Sequence, residues 1–437
     1  MHQPGRRLAE RPRHPPSRTT SSRITAAVLG NAFEFYDFTL FASFAVLLSH
    51  VFFPAGEGPG ALLATLATFG VGFVTRPLGA IVIGAYADRA GRKPAMTLTI
   101  WLMALGSALI GVLPGYATAG YASPVLLVAA RLLQGFSAGG ELGASTTFLV
   151  EAVAPSRKGF AGSWQLASQN IGSVVGSLFG FVLAQAMPPD ALQGWGWRIP
   201  FLFGVLIAPV GIYIRNQLEE TLDARSAHGS IGGVLGDLLG RHWRALLVCS
   251  LVIVGATVTQ YFVTYITTYS IRTLGMTPTV GFGAGLVAGV TGAVFAVAGG
   301  LLADRIGFKA VSVWPRVLLT VLVYPAVLYL LHAPTTANLL AVSALVAALQ
   351  AFSGATAILL IPDAFSPRVR VAGLSIAYAI GTTLFGGTAQ LVFEWLIDTT
   401  HDPISPIWYV VGTNLLTIAA LAVLRPAQPV PAGPAKR

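Results

Sequence analysis

The chain has 437 residues, of which 54% are hydrophobic and only 10% are charged, and its mean hydropathy is +0.71. A soluble domain carries about 25% charged residues, so the composition excludes a soluble globular protein and predicts an integral membrane protein. The net charge of +10 does not require a nucleic-acid partner, because most of the basic residues fall in alternate loops between apolar segments.

The predicted elements begin with a disordered basic tail over residues 1–23, which is rich in Arg, Pro, Ser and Thr. About twelve apolar segments follow, each long enough for a helix that crosses the ~30 Å hydrocarbon layer. The first six form a predicted N-terminal six-helix bundle over 24–216, with spans near 24–50, 60–87, 95–113, 123–150, 159–186 and 198–216.

A polar linker loop is predicted at 217–243, followed by a C-terminal six-helix bundle over 244–424 and a tail at 425–437. The spans of this second bundle lie near 244–271, 278–302, 309–332, 336–362, 370–397 and 405–424. The positive-inside rule places the basic loops, the linker and both termini in the cytoplasm. The predicted fold class is therefore an all-α polytopic membrane protein with about twelve transmembrane helices in two bundles.

A charged turn occurs twice, about half a chain length apart. Residues 84–93 read G-A-Y-A-D-R-A-G-R-K, and residues 300–309 read G-L-L-A-D-R-I-G-F-K. A duplicated turn between membrane spans predicts two related bundles with a cavity between them, as in secondary transporters.

We expect the duplicated turn to act as a cytoplasmic latch, because a carboxylate such as Asp88 can cap a nearby helix start. The cations of the turn can bind carboxylates such as that of Glu151, or anionic lipid. Phe308 replaces Arg92 in the second copy, which predicts a weaker second latch. The predicted gating residues are Gly84, Asp88, Arg89, Gly91, Arg92, Glu151, Asp304 and Arg305.

Polar side chains inside the spans indicate the chemistry. A charge at the bilayer centre costs at least ~2.5–3.5 kcal/mol, so each one needs a partner, a water-filled cavity or a function. Guanidinium, amide and hydroxyl groups suit a solute with several carboxylates. The predicted substrate-binding residues are Arg131, Gln134, Gln165, Gln169, Tyr261, Tyr265, Arg272 and Arg76. Burial favours the protonated form of a carboxyl group, and the predicted proton carriers are Glu34, Asp37 and Glu141.

Structural roles remain open for several of these residues. Arg76 could neutralise Asp37 or Glu34, and Arg131 could pair with Glu141 or with another helix. The two glutamines of the fifth span could be interhelical hydrogen-bond partners, and the tyrosine face could serve in packing. Two further charged residues within the predicted spans are expected to reach the surface of the protein. Glu394 is predicted to be solvated near an exterior helix end, and Arg316 is predicted to snorkel to the interior surface.

The turn at 84–93 resembles the loop signature of the major facilitator superfamily, and R-L-L-Q-G at 131–135 resembles its fourth-helix motif. Further strings are similar to the metabolite–proton symporter branch: G-N-A-F-E-F-Y-D-F at 30–38, R-P-L-G at 76–79, Q-G-F-S-A-G-G-E at 134–141 and G-W-R-I-P-F at 196–201. Within this branch, three stretches are similar to citrate–proton and tricarballylate symporters: the Lys158–Gln165 segment, the Tyr261–Arg272 face and F-G-G at 385–387.

The resemblance implies proton-coupled uptake of citrate or a related tri- or dicarboxylate by alternating access, with Arg131 and nearby carboxylates in the coupling. Proton symport of 2-oxoglutarate, shikimate, betaine or proline stays open. The resemblance also implies a bacterial inner membrane protein that functions as a monomer. No enzyme is expected, since no nucleophile–base set or metal cluster is found, and no cofactor or nucleic acid is expected as a partner.

Overall fold

The computed structural model describes residues 20–54, 60–90, 92–139, 157–216, 231–366 and 369–424. Gly91, Glu141 and Glu151, and the side chains of Asp88, Arg89 and Arg92, lie outside this description. The described residues are almost entirely helical and contain no strand. This follows from the composition, because a helix satisfies its own backbone hydrogen bonds in a medium that offers no water.

The N-terminal half contains eight labelled helices in chain order. They are α1 (Thr20–Ser43), α2 (Ala45–Phe52), α3 (Gly60–Val74), α4 (Arg76–Ala90), α5 (Arg92–Val112), α6 (Ala122–Ala138), α7 (Lys158–Ala186) and α8 (Arg198–Asn216). The first predicted span is bent by 64° between its two parts, α1 and α2. The second predicted span is likewise divided into α3 and α4.

The C-terminal half begins with a short helix and continues with seven longer ones. They are α9 (Ile231–Arg241), α10 (Trp243–Arg272), α11 (Pro278–Ile306), α12 (Phe308–His332), α13 (Thr336–Leu360), α14 (Arg370–Gly381), α15 (Gly387–Thr400) and α16 (Ser405–Val423). A one-turn π-helical segment, Thr382–Gly386, joins α14 to α15. Part of the predicted linker loop is thus helical, because α9 lies within it and Leu238 packs into the core of this half.

Eight described helices are long and apolar enough to cross a membrane, or nine if the bent α1–α2 pair counts as one span. Two shorter apolar helices, Thr97–Val112 and Ala122–Ala138, fall in two further predicted spans. Each of the twelve predicted ranges contains a described helix. The prediction of an all-α polytopic membrane protein is confirmed.

The second copy of the duplicated turn joins α11 to α12 without any intervening loop. Gly307 ends α11 and precedes Phe308 with φ of 96°. This left-handed backbone conformation costs little only for glycine, which explains why the motif carries glycine there. We call the end of the molecule that contains Gly307 and Lys158 the motif end, and the end that contains His332 and Thr400 the far end.

The two halves meet through a few helix pairs. Helix α7 packs along α11 from Gly159, beside Asp304, to Gly180, beside Phe282, and α7 also meets α13. Toward the far end, α3 packs against α15. These pairs enclose the cavity described below, and they place polar residues of α1 and α7 opposite those of α10, α13 and α14.

Candidate functional site

A cavity lies between the two halves, lined by residues of both. Its described lining carries amide, hydroxyl and aromatic groups and no charged side chain. The polar and aromatic lining residues are Phe35, Phe38, Thr39, Gln165, Gln169, Ser173, Thr257, Gln260, Tyr261, Thr264, Gln350, Tyr378 and Thr382.

Three of the predicted substrate-binding residues line this cavity: Gln165, Gln169 and Tyr261. Gln165 also ties two helices together, because its Nε2 donates to Asn31 Oδ1 at 3.2 Å and its carbonyl oxygen accepts from Asn31 Nδ2 at 2.9 Å. Gln169 lies beside Tyr378 of the other half, and both residues line the cavity. The interhelical role and the cavity-lining role are therefore compatible for these glutamines.

Arg76 is buried immediately behind the cavity wall. Its guanidinium carbon lies 4.3 Å from the ring centroid of Phe38 and 4.2 Å from that of Phe73, so two rings enclose the cation. Its Nε and Nη2 have no hydrogen-bond partner among the described residues. Arg76 also interacts electrostatically with Tyr261 and Tyr378 of the other half. It is the predicted arginine that lies nearest to the cavity lining.

Arg131 and Gln134 do not line the cavity but form a buried chain of polar groups within the N-terminal half. Arg131 is 0% exposed, and its Nη1 donates to Gln134 Oε1 at 2.8 Å. Gln134 Nε2 donates in turn to Ser107 Oγ at 2.9 Å. Asp37 lies beside Ser107 and interacts electrostatically with Arg131. The structure therefore brings one predicted proton carrier beside the predicted coupling arginine.

Of the other two predicted proton carriers, the structure describes Glu34 but not Glu141. Glu34 is buried on α1, and it interacts electrostatically with Tyr261 and Tyr378, as Arg76 does. Glu34 and Arg76 thus lie beside the same pair of tyrosines. Glu141 lies outside the described residues, so its predicted pairing with Arg131 stays a prediction.

Tyr265 and Arg272 contact Glu394 and not the cavity. Tyr265 donates its hydroxyl hydrogen to Glu394 Oε2 at 2.5 Å, and Arg272 Nε lies 3.9 Å from Glu394 Oε1. The helical face that carries Tyr261 is continuous through Arg272, but one turn rises 5.4 Å. Tyr265 and Arg272 therefore lie progressively nearer the far end than the cavity does.

The expectation that Glu394 is solvated is wrong. Glu394 is only 3% exposed, and it lies about 9 Å inside the last residue of its helix, Thr400. The expectation that Arg316 snorkels is also wrong. Arg316 is 0% exposed and donates to Gln350, Ser353 and Asn414 inside the C-terminal half. Sequence distance from a helix end gives the depth of a residue but not the face on which it lies.

Among the predicted gating residues, Asp304 has a described contact between the halves. Its carboxylate accepts the backbone N–H groups of Gly159 at 2.7 Å and Phe160 at 2.9 Å. These groups belong to the first turn of α7, where a negative charge is stabilised by the helix dipole. Arg305 is exposed, and a side chain at Gly84 would meet open space. Asp88, Arg89, Gly91, Arg92 and Glu151 lie outside the described side chains.

An aromatic cluster closes the cavity toward the far end. The rings of Phe69 and Phe73 each lie 5.7 Å from that of Tyr261, so α3 of one half contacts α10 of the other. Gly70 lies directly against the backbone of Gly387, and a side chain at Gly70 would overlap the Gly387 carbonyl. No signal in the sequence distinguished these rings from ordinary packing residues.

Several lining residues were not predicted as site residues. Gln260 and Thr264 flank the tyrosine face, and helical spacing could have assigned them to the cavity. Tyr378 and Gln350 lie on α14 and α13, which also carry Ser375 and Ser353. The three-residue spacing places each pair on neighbouring helix positions, but the sequence does not show that this face meets the cavity.

A family model described as Major Facilitator Superfamily matches residues 27–389. Among curated proteins, the chain is 37% identical to the citrate-proton symporter of Klebsiella pneumoniae over 88% of this chain and 86% of the relative. It is 33% identical to the alpha-ketoglutarate permease of Escherichia coli K12 over 92% of each protein. It is 32% identical to the proline/betaine transporter of Salmonella typhimurium over 92% of this chain and 81% of that protein.

Among solved structures, the crystal structure of a D-xylose-proton symporter is similar to the whole described fold. Its TM-score is 0.76 at 18% sequence identity, over 93% of this chain and 98% of that protein. This identity is too low to carry substrate chemistry, so the match bears on architecture alone. All of these relatives and neighbours are transporters, which confirms the prediction that the chain is not an enzyme.

Proposed function

Because the chain belongs to the major facilitator superfamily, we propose that it imports citrate or a closely related tri- or dicarboxylate together with protons. Proton-coupled transport is the activity for which relatives such as the citrate-proton symporters are named. The choice of an anionic substrate is supported by one feature above all. Two nitrogens of the Arg76 guanidinium have no partner among the described residues, beside a cavity lined by amides and hydroxyls.

The roles of the polar groups follow from their positions. Arg76 supplies positive charge from the N-terminal half, and Gln165, Gln169, Gln260 and Tyr261 supply neutral hydrogen bonds within the cavity. Asp37 is the preferred proton carrier, because it shares a buried environment with Arg131 and can alternate between charged and neutral forms. Arg131 would stabilise the charged form of Asp37 and would not contact the substrate.

The membrane arrangement is part of the proposal. By the positive-inside rule, the motif end faces the cytoplasm, and the termini lie on the same side. The relatives are bacterial, which supports a location in the inner membrane. Two six-helix bundles, 24–216 and 244–424, would rock about the central cavity, and a single chain would contain the complete pathway. The bilayer would be its only other partner.

The first test is accumulation of labelled citrate in proteoliposomes under an imposed inward proton gradient. Citrate should accumulate only with the gradient, and Arg76→Gln should raise the half-saturation concentration about tenfold, the loss expected for a charge-assisted hydrogen bond. Arg370→Gln, which changes an exposed arginine, is the matched control. Accumulation without a gradient, or an unchanged half-saturation concentration in Arg76→Gln, would contradict the proposal.

A zwitterionic substrate is the second candidate, because the described lining has no charged side chain and includes four aromatic residues, Phe35, Phe38, Tyr261 and Tyr378. Aromatic faces attract quaternary ammonium groups, and a proline/betaine transporter is among the relatives. An uptake panel of citrate, 2-oxoglutarate, shikimate, betaine and proline separates the two candidates. Preference for betaine over every carboxylate would favour the second.

A further inference from the structure

Arg316 is a fully buried cation whose charge is not balanced by any acidic residue in the described part of the chain. Its Nε donates to Ser353 Oγ at 3.0 Å, and its Nη1 donates to Gln350 Oε1 at 2.7 Å and Asn414 Oδ1 at 3.0 Å. Its Nη2 has no described hydrogen-bond partner. No described carboxylate lies within 4.0 Å of its guanidinium.

The other two buried arginines of the described residues lie near acidic groups. Arg131 interacts with Asp37, and Arg76 lies beside the same two tyrosines as Glu34. Neutral acceptors satisfy the donors of Arg316 but do not cancel its charge, and an uncompensated charge in a low-dielectric interior is costly. The side chain therefore projects a positive potential into its surroundings, where little solvent screens it.

That potential reaches the central cavity through Gln350. Gln350 lines the cavity, and its Oε1 accepts from Arg316 while its Nε2 donates at 2.6 Å to the carbonyl oxygen of Ala256, another lining residue. The amide thus turns its negative end toward Arg316 and its positive end toward the cavity wall. Arg316 lies about 12 Å along α12 from Phe308, at a depth similar to that of the cavity.

We propose that Arg316 determines the charge specificity of the transporter: it is a positioning residue that acts through Gln350 to favour anionic over zwitterionic solutes in the cavity. This inference rests on the proposed carboxylate transport and assigns the C-terminal half its own electrostatic contribution. Arg76 would then act on the substrate from one half and Arg316 from the other.

A purely structural role makes a different prediction. Arg316 joins α12 to α13 and α16, and Asn414 continues the network by donating to Thr259 Oγ1 on α10 at 2.8 Å. If this network served only to hold the helices together, removal of Asn414 would be as harmful as removal of the charge. If the charge itself matters, a lysine at position 316 would replace it and a glutamine would not.

The test is equilibrium exchange of labelled citrate in proteoliposomes, which needs no proton gradient, with unlabelled 2-oxoglutarate as a competitor. Arg316→Gln should raise the half-saturation concentration for citrate about ten- to hundredfold, as for loss of a charged interaction. The rise should be smaller for 2-oxoglutarate, which carries less negative charge. Arg316→Lys and Asn414→Ala should stay within a few-fold of the wild type, as should Arg241→Gln, whose side chain is 86% exposed.

A second variant decides the matter if Arg316→Gln fails to fold, as judged by thermal unfolding in detergent. Gln350→Glu retains a hydrogen-bond acceptor 2.7 Å from Arg316 but places a carboxylate there, which neutralises the cation. It should weaken citrate exchange at least as strongly as Arg316→Gln. An unchanged half-saturation concentration for citrate in Gln350→Glu would overturn the proposal.

Two other results would also overturn it. One is equal loss of citrate exchange in the lysine and glutamine variants at position 316, since the charge would then be irrelevant. The other is a folded Arg316→Gln that binds citrate and 2-oxoglutarate as tightly as the wild type does, while the wild type transports citrate. In that case the protein transports carboxylates, but Arg316 does not set its charge specificity. A wild type that takes up betaine and neither anion would refute carboxylate transport as well.

Discussion

At the residue scale, the buried charges of the N-terminal half lie close to one another, and their arrangement suggests how protons move. Asp37 on α1 lies beside Ser107 of α5 and near Arg131 of α6. When a buried carboxylate beside a buried cation gains a proton, it becomes neutral and no longer attracts that cation. Both groups then change their contacts. We therefore expect protonation of Asp37 to alter the packing of three helices.

Asp37→Asn should abolish citrate accumulation driven by a proton gradient, because an amide of nearly the same shape cannot gain or lose a proton. Exchange of labelled for unlabelled citrate should persist, since exchange needs binding and alternation but no net proton movement. Both activities are measured in the same proteoliposomes, with the exposed Asp190→Asn as the control. Gradient-driven accumulation at the wild-type rate in Asp37→Asn would assign the proton to another group.

Sequence reasoning found polar side chains within the spans more reliably than it located them in the fold. Gln165, Gln169 and Tyr261 were predicted to line a cavity and do so. Arg316 and Glu394 were expected at the surface but are buried, because spacing along the chain does not reveal which neighbours a helix face meets. Gln350 and Tyr378 were not among the predicted site residues, and the contact between the two halves makes them lining residues.

At the element scale, the tight contact between α3 and α15 closes the far end of the cavity. Gly70 faces the backbone of Gly387, and no side chain fits between the two helices at this point. The aromatic rings of Phe69 and Phe73 meet Tyr261 beside it. In the proposed cycle, α3 and α15 must separate when the cavity opens to the outside.

Gly70→Val should prevent the far end from closing, because the added side chain overlaps the Gly387 carbonyl. Citrate uptake should fall to the level of protein-free liposomes, while the thermal unfolding temperature in detergent changes little if the variant rests in the outward-facing state. Gly412→Val, at a helical glycine that faces open space, is the matched control. Wild-type uptake by Gly70→Val would show that this contact does not have to form during transport.

The apolar segments predicted the helices well, since each predicted span contains a helix. The bend between α1 and α2 and the π-helical segment between α14 and α15 were not predicted. Both deviations lie within continuous apolar sequence, and neither has a proline at the break to signal it. Thr382, the first residue of the π segment, lines the cavity, in keeping with the frequent occurrence of such segments at functional sites.

At the scale of the whole molecule, the described contacts between the halves lie on both sides of the central cavity. The aromatic cluster lies toward the far end, and the Asp304 carboxylate holds the start of α7 at the motif end. Alternating access requires these two sets of contacts to break in turn. The duplicated turn in the sequence indicated Asp304, which caps the start of α7, and its role as a latch stays a prediction. The aromatic contact had no corresponding signal in the sequence.

The central claim is that citrate and protons cross the membrane together through this cavity, and it is tested most directly by proton entry into proteoliposomes. A pH-sensitive dye is enclosed in vesicles with equal pH on both sides, and citrate is added outside. We predict acidification of the interior that requires citrate and the wild-type protein and is absent with Asp37→Asn. Entry of labelled citrate without any acidification would contradict the claim.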